Sequence, residues 1–218
     1  CPNAYLLLRE PSNRLCKGSI EWRLERCLGE RIMYKDGDFN FKFVGTFDTI
    51  KFREKILSIP EEEWDKFTPR QGGAAMYGNY RSPHTETRTI PLLYDENFLD
   101  IPSEYEWYSL FKEDIEEVRA YLLDKYKSGN IPRIILTKLL AERNILPHVD
   151  TGEQLLKCKR HHIPIITNGM VIFHVGEDSV NMKSGEVWEI NNANLHYVRN
   201  YSTEDRIHII VDWDINLE

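Results

Sequence analysis

The chain has 218 residues, of which 41% are hydrophobic, 11% aromatic and 29% charged. That length and content support a folded core and exclude a disordered chain. No apolar run approaches the roughly 20 residues that cross a bilayer, and a net charge of −7 with pI ≈ 5.6 argues against broad electrostatic binding of nucleic acid. The four cysteines, Cys1, Cys16, Cys27 and Cys158, form no CxxC pair, which leaves a zinc ribbon or thioredoxin-like site without support. They read as free thiols in a reducing compartment. The apolar run from Ala4 to Leu8 is too short for a signal-peptide core, so the expectation is a soluble, acidic, cytoplasmic protein.

Residues 1–38 are Arg-rich, contain three of the cysteines and close on the turn-like Lys35-Asp36-Gly37-Asp38. They are set apart as an N-terminal extension, with 39–218 as a single domain. Residues 40–45 alternate like a short strand, and Asp48 is placed to cap a helix that ends near Ile59-Pro60. Residues 68–95 are rich in Gly, Arg, Tyr and Thr with weak periodicity, as expected of a long loop with short strands that carries ligand contacts.

A helix is predicted over 112–128, with Ile115, Val118, Tyr121, Leu122 and Tyr126 on one face and Gly129 after its end. The acidic run 113–117 reads as its solvated first turn. Past Pro132 the pattern changes to short β-type runs at 133–140, 144–149, 158–166, 170–175, 179–182, 186–190, 194–200 and 206–213, separated by turn residues. Eight such runs imply a β-sandwich or jelly roll with helices outside it. The predicted class is α+β, with helices and loops over 39–130 and a β core over 131–214.

His148-Val149-Asp150 is the centre of the chemistry. On a strand, residues i and i+2 face one side, so an imidazole and a carboxylate can reach one point. His196, on a later strand, is the best third ligand. Two histidines and a carboxylate on one face leave coordination positions open, the arrangement of non-haem Fe(II) oxygenases. An HxD pair alone also arises by chance, and a lone His196 would more often be structural. Arg206 adds to the signal. It lies ten residues after His196, and a chain reversal at the turn 201–204 would bring the two level. A guanidinium fork pairs with a carboxylate through two charge-assisted hydrogen bonds. A metal-chelating cosubstrate with a distal carboxylate is implied, and 2-oxoglutarate fits.

The stretch from Arg133 to Asp214 resembles the aspartyl/asparaginyl β-hydroxylase family of 2-oxoglutarate/Fe(II)-dependent dioxygenases. The matching elements are Leu146-Pro147-His148-Val149-Asp150, Arg160-His161-His162-Ile163-Pro164-Ile165, Gly185-Glu186-Val187-Trp188, Asn194-Leu195-His196, and Arg206 through Val211-Asp212-Trp213. The HxD form is closest to the bacterial proline hydroxylase branch. The resemblance implies a double-stranded β-helix (jelly-roll, cupin-like) core with flanking N-terminal helices. It also implies Fe(II) held by His148, Asp150 and His196, with 2-oxoglutarate and O2 as cosubstrates. Arg206 matches the arginine for the distal carboxylate, Arg160 and His162 a basic pair near the cosubstrate, and Thr137 a hydroxyl that touches it.

The implied activity is hydroxylation of a free amino acid or an amino-acid residue in a peptide, with release of succinate and CO2. No nucleic-acid or membrane partner is expected. Tyr77, Arg81, His84 and Arg88, in the irregular segment, are the candidates to face that substrate. His161 reads as a surface residue, and His174 and His208 as packing residues. A cupin-like binding module without turnover and a zinc-dependent hydrolase are the alternatives. The hydrolase has no use for a dicarboxylate clamp at Arg206.

Overall fold

In the computed structural model, residues 39–67, 82–95, 102–150 and 153–217 are described. The chain runs through β1 (Phe41–Thr46), α1 (Ile50–Leu57), a 3-10 turn (Glu61–Asp65), β2 (Thr87–Tyr94), β3 (Ser103–Glu104) and α2 (Tyr108–Tyr126). It continues through β4 (Asn130–Leu139), β5 (Asn144–His148), α3 (Glu153–Lys157), β6 (Lys159–Ile166), β7 (Val171–Val175) and β8 (Asp178–Val180). The last strands are β9 (Glu186–Ile190), β10 (His196–Asn200) and β11 (Arg206–Asp214). The described residues belong to one compact unit. The expected extension 1–38, with Cys1, Cys16 and Cys27, lies outside them; Cys158 is a buried free thiol.

The strands form a seven-stranded sheet, β1-β9-β6-β11-β4-β2-β3, facing a four-stranded sheet, β5-β10-β7-β8. Every pairing is antiparallel. This is the double-stranded β-helix expected from the sequence. The eight β runs read past Pro132 correspond one for one to β4 through β11.

The larger sheet has two covered faces, and residue alternation divides them. Ile134 and Leu136 of β4, Ile163 and Ile165 of β6, and Ile207, Ile209, Val211 and Trp213 of β11 pack beneath the helices in one apolar cluster. Leu139, Ile145, Phe173, Val175, Ile190 and Val198 form a second cluster between the sheets. β11 is central and covered on both sides, so eight of its nine residues are buried, as the uninterrupted apolar run suggests.

Helix α2 supplies Phe111, Ile115, Val118 and Leu122 to the first cluster, all fully buried, at the spacing of one helical face. It begins four residues before the predicted start, so the acidic run occupies later turns. Asp114 is consequently buried and forms an ion pair with Lys55 of α1, rather than being solvated. Lys127 closes the helix in the left-handed conformation at φ 67°. Asp48, expected as the cap, lies one residue before the N-cap Thr49 of α1, and its carboxylate accepts the N–H of Ile50 at 3.0 Å.

The end of segment 68–95, expected as a long loop with short strands, carries one such strand. Residues 87–94 are a regular strand paired with β4, and Pro91 sits at a register shift where a missing N–H costs least. His161 is corrected, because it is fully buried under α2 with its Nε2 2.7 Å from the Tyr126 hydroxyl. Among the described residues, no helix is long and apolar enough to cross a membrane.

Candidate metal centre and adjoining cavity

His148 ends β5, and its cross-strand partner on β10 is His196. That register places the two imidazoles side by side, with ring centroids 4.2 Å apart. Asp150 lies just past the strand rather than on it, held by its N–H donating to the Asn192 carbonyl at 3.1 Å. One ligand-type atom from each of His148, Asp150 and His196 lies within 4.8 Å of the others. The His148 Nδ1–H is placed to donate to the Leu146 carbonyl at 2.8 Å, and the His196 Nδ1–H to the Asn194 carbonyl at 2.9 Å. Both Nε2 lone pairs are thereby left for a cation, the usual way a second shell orients ligating histidines. The donor set of two imidazoles and one carboxylate fits a divalent first-row metal.

Charge at this point is fixed by Arg160, whose Nη1 pairs with Asp150. Its Nε and Nη2 donate to Asp212 at 2.9 and 3.2 Å. Asn192 Nδ2 donates to Asp150 at 3.0 Å. Burial alone would raise the Asp150 pKa, but Arg160, then His196, then the Asn192 hydrogen bond outweigh it and hold the carboxyl well below its usual range. Burial, then the neighbouring His148, pushes His196 down to about 4. The site thus sets an ionised Asp150 carboxylate beside the neutral imidazole of His196.

The pair opens into a cavity of about 280 Å³ between the sheets. Its floor is a set of cross-strand rows on the larger sheet. Thr89, Thr137 and His208 share one row, and Leu139 and Arg206 the next. Arg206 is 1% exposed. Its Nη2 donates to His208 Nδ1 at 2.7 Å, while Nε and Nη1 have no hydrogen-bond partner among the described residues. The hydroxyls of Thr89 and Thr137 and the Nδ1 of His162 are likewise buried without partners. Each such group costs about 1–3 kcal/mol if left unsatisfied, so their convergence favours an acidic, oxygen-rich ligand. Burial pushes Arg206 down to about 9, which leaves it cationic at neutral pH.

Of the residues expected from the sequence, His148, Asp150, His196, Arg206, Arg160, His162, Thr137 and His84 all line this cavity. The expected hairpin between His196 and Arg206 is not what joins them. β10 and β11 belong to different sheets, and the two side chains face each other across the cavity. His84 packs edge-on against His148, with centroids 4.6 Å apart. Burial, then His148, pushes its pKa down to about 3.

Arg88 is not brought to the cavity. It points to the opposite face of β2 from Thr87 and Thr89, with its Nε 2.6 Å from Asp65 and its Nη1 on backbone carbonyls. Tyr77 and Arg81 lie outside the described residues. Sequence reasoning missed Thr89, Asn192, Asp212 and Arg133, and placed His208 only as packing. The alternation of Thr87 and Thr89 through Thr87–Tyr94 was the available signal for β2.

Residues 115–214 match the model of the Aspartyl/Asparaginyl beta-hydroxylase family. No curated protein matches the chain by sequence. Among solved structures, a 2OG-Fe(II) oxygenase family oxidoreductase from Burkholderia pseudomallei is similar over 62% of this chain and 72% of its own, at 14% identity and TM-score 0.48. The viral collagen prolyl hydroxylase of Paramecium Bursaria Chlorella virus-1 is similar over 81% of this chain and 96% of its own, at 9% identity and TM-score 0.49. A predicted oxalate decarboxylase from Thermotoga maritima is similar over 58% and 78%, at 10% identity and TM-score 0.34. The match over residues 115–214 includes the His-Asp-His cluster and Arg206, so the part of the chain that carries the site is similar to the aspartyl/asparaginyl β-hydroxylases.

Proposed function

We propose that the protein hydroxylates a C–H bond of a free amino acid or of an amino-acid residue in a peptide, converting 2-oxoglutarate to succinate and CO2. His148, Asp150 and His196 hold the iron in this reading, and Arg206 receives the distal carboxylate of 2-oxoglutarate. The observation that carries it is Arg206 itself: a buried guanidinium with two nitrogens unpartnered, lining the cavity that the His-Asp-His cluster also lines.

Fe(II), when bound, supplies the redox chemistry that couples 2-oxoglutarate decarboxylation to hydroxylation. The chain's own contribution is positioning. Leu146 and Asn194 carbonyls fix the two imidazole tautomers, and Arg160 with Asn192 keeps Asp150 ionised. Thr137, Thr89 and His162 offer polar atoms along the path from the metal cluster to Arg206. Apolar Ile135, Ile145, Phe173, Val198 and Ile210 line the rest, which limits water and strengthens each charged hydrogen bond. A cytoplasmic setting is part of the same proposal.

The test is succinate formation from 2-oxoglutarate by the Fe(II)-loaded protein, screened over free amino acids and short peptides. Stimulation by one of these, with a product heavier by one oxygen, is the expected result. Succinate formation that no amino acid or peptide stimulates would contradict the substrate class.

A further inference from the structure

Besides Arg206 and Arg160, a third guanidinium, that of Arg133, lines the cavity. Arg133 on β4 lines the cavity at the end remote from Arg206. Its cross-strand row runs Tyr94, Arg133, Asp212, Arg160. Asp212, 1% exposed, takes Arg160 on both oxygens and has its Oδ2 2.7 Å from the Arg133 Nε. That contact orients Arg133, and the Tyr94 ring flanks it, 5.8 Å from centroid to guanidinium carbon. Arg160 has all three nitrogens engaged by Asp150 and Asp212. Arg133, by contrast, meets Asp212 only as an ion pair: its buried Nε makes no hydrogen bond among the described residues.

We infer that Arg133 anchors a free carboxylate of the primary substrate, which is therefore an unblocked aliphatic acid, such as a free amino acid. The inference rests on the oxygenase reading and narrows its substrate class. Distance separates the two forks. Arg206 and the Arg133 row lie six residues apart along β11, about 20 Å of strand, too far for one five-carbon diacid to engage both. Charge gives the same answer. With a divalent ion and 2-oxoglutarate in place, Asp150 and Asp212 leave one positive charge uncompensated among the lining residues, and it falls at Arg133. Pro91, Ile135 and Ile210 form the next row inward, which provides an apolar path for the carbon skeleton from Arg133 toward the metal cluster.

The experiment compares each free L-amino acid with its carboxamide, by stimulation of 2-oxoglutarate turnover and by anaerobic titration calorimetry on the Fe(II)–2-oxoglutarate protein. At least one acid should stimulate, with its carboxamide bound about thirtyfold or more weakly, as expected when a buried charged partner is removed. Arg133→Met should weaken the acid by a similar factor and abolish the acid–amide difference. Its 2-oxoglutarate dissociation constant should stay within about twofold, and Arg133→Lys should recover part of the acid binding.

Equal binding of acid and amide by the wild type, or a 2-oxoglutarate defect in Arg133→Met as large as the acid defect, would overturn the inference. The wild-type comparison decides the matter even if Arg133→Met fails to fold. If the wild type turns over 2-oxoglutarate but no free acid stimulates it, this inference is wrong and the oxygenase reading stands. If the wild type does not bind 2-oxoglutarate at all, both fall together.

Discussion

Arg206 and His208, two residues apart on β11, are joined by a 2.7 Å hydrogen bond from the guanidinium Nη2 to the imidazole Nδ1. A guanidinium cannot accept, so the bond fixes His208 as the neutral tautomer protonated at Nε2. Burial and then the Arg206 charge hold the His208 pKa well below its ordinary value. The imidazole therefore braces the fork without competing for its charge, and Nε and Nη1 remain available for an acid.

Arg206→Ala should raise the 2-oxoglutarate dissociation constant by at least about a hundredfold, since losing one partner of a buried charge pair costs on the order of 3–5 kcal/mol. Arg206→Lys should recover only part, because a point charge cannot reproduce the fork. Iron content should be unchanged in both. Titration of 2-oxoglutarate into the iron-loaded variants checks this, and wild-type affinity in Arg206→Ala would remove the cosubstrate assignment.

Asn192 supports Asp150 from outside the metal cluster, donating to its carboxylate at 3.0 Å and to the Leu155 carbonyl at 3.2 Å. Loss of such a support lowers metal affinity by about ten- to a hundredfold. Asn192→Ala should therefore release Fe(II) to a chelator at correspondingly lower chelator concentration, with its circular dichroism spectrum unchanged. An unaltered chelator titration would show that Arg160 alone sets the Asp150 position.

The positions of the β elements were legible because alternation and turn residues recur at short intervals past Pro132. The metal cluster was legible too, although its geometry differs from the simple picture. His148 and Asp150 were expected on one strand face, whereas the decisive relation is the cross-strand pairing of His148 with His196, which no local pattern encodes. Arg206 was rightly drawn toward the same space, but through two facing sheets instead of a hairpin. Arg133, Asn192 and Asp212 gave no local signal, because their significance lies in partners 79, 42 and 52 residues away in the chain. Asp114 shows the same limit. Its acidic neighbours suggested a solvated turn, and only the packing of α1 against α2 buries it beside Lys55.

Acidification should destabilise the metal-free protein before any carboxylate titrates. Burial, first among the causes, lowers His84 to about 3 and His196 to about 4, and holds His162 and His208 well below their ordinary value. The unfolded chain, with histidines near 6.5, binds protons first as pH falls. Stability is therefore fully present above about pH 6.5 and declines toward pH 4, by up to about 1.4 kcal/mol per pH unit for each such histidine. Urea unfolding of the metal-free protein at a series of pH values should show this loss. A flat profile between pH 7 and 5 would contradict the burial of these groups in neutral form.

Gly129 holds the junction between α2 and β4 at φ +109°, where an added Cβ would lie 2.5 Å from the Asp214 carbonyl oxygen and 2.7 Å from the Trp213 Nε1. Gly129→Ala should lose more than about 1 kcal/mol of unfolding free energy. Gly169→Ala, where a Cβ meets nothing within 4 Å, should change it by no more than about 0.5 kcal/mol. Paired denaturant titrations distinguish them, and equal effects would contradict the close approach at Gly129.

The central claim is that the His148, Asp150 and His196 cluster binds iron for 2-oxoglutarate oxidation. It is tested most directly by measuring succinate formed from 2-oxoglutarate under air by iron-loaded wild-type protein and by His196→Ala prepared in parallel. The account predicts succinate from the wild type and none above background from a folded His196→Ala protein. Equal succinate from both, or none from either, would contradict it.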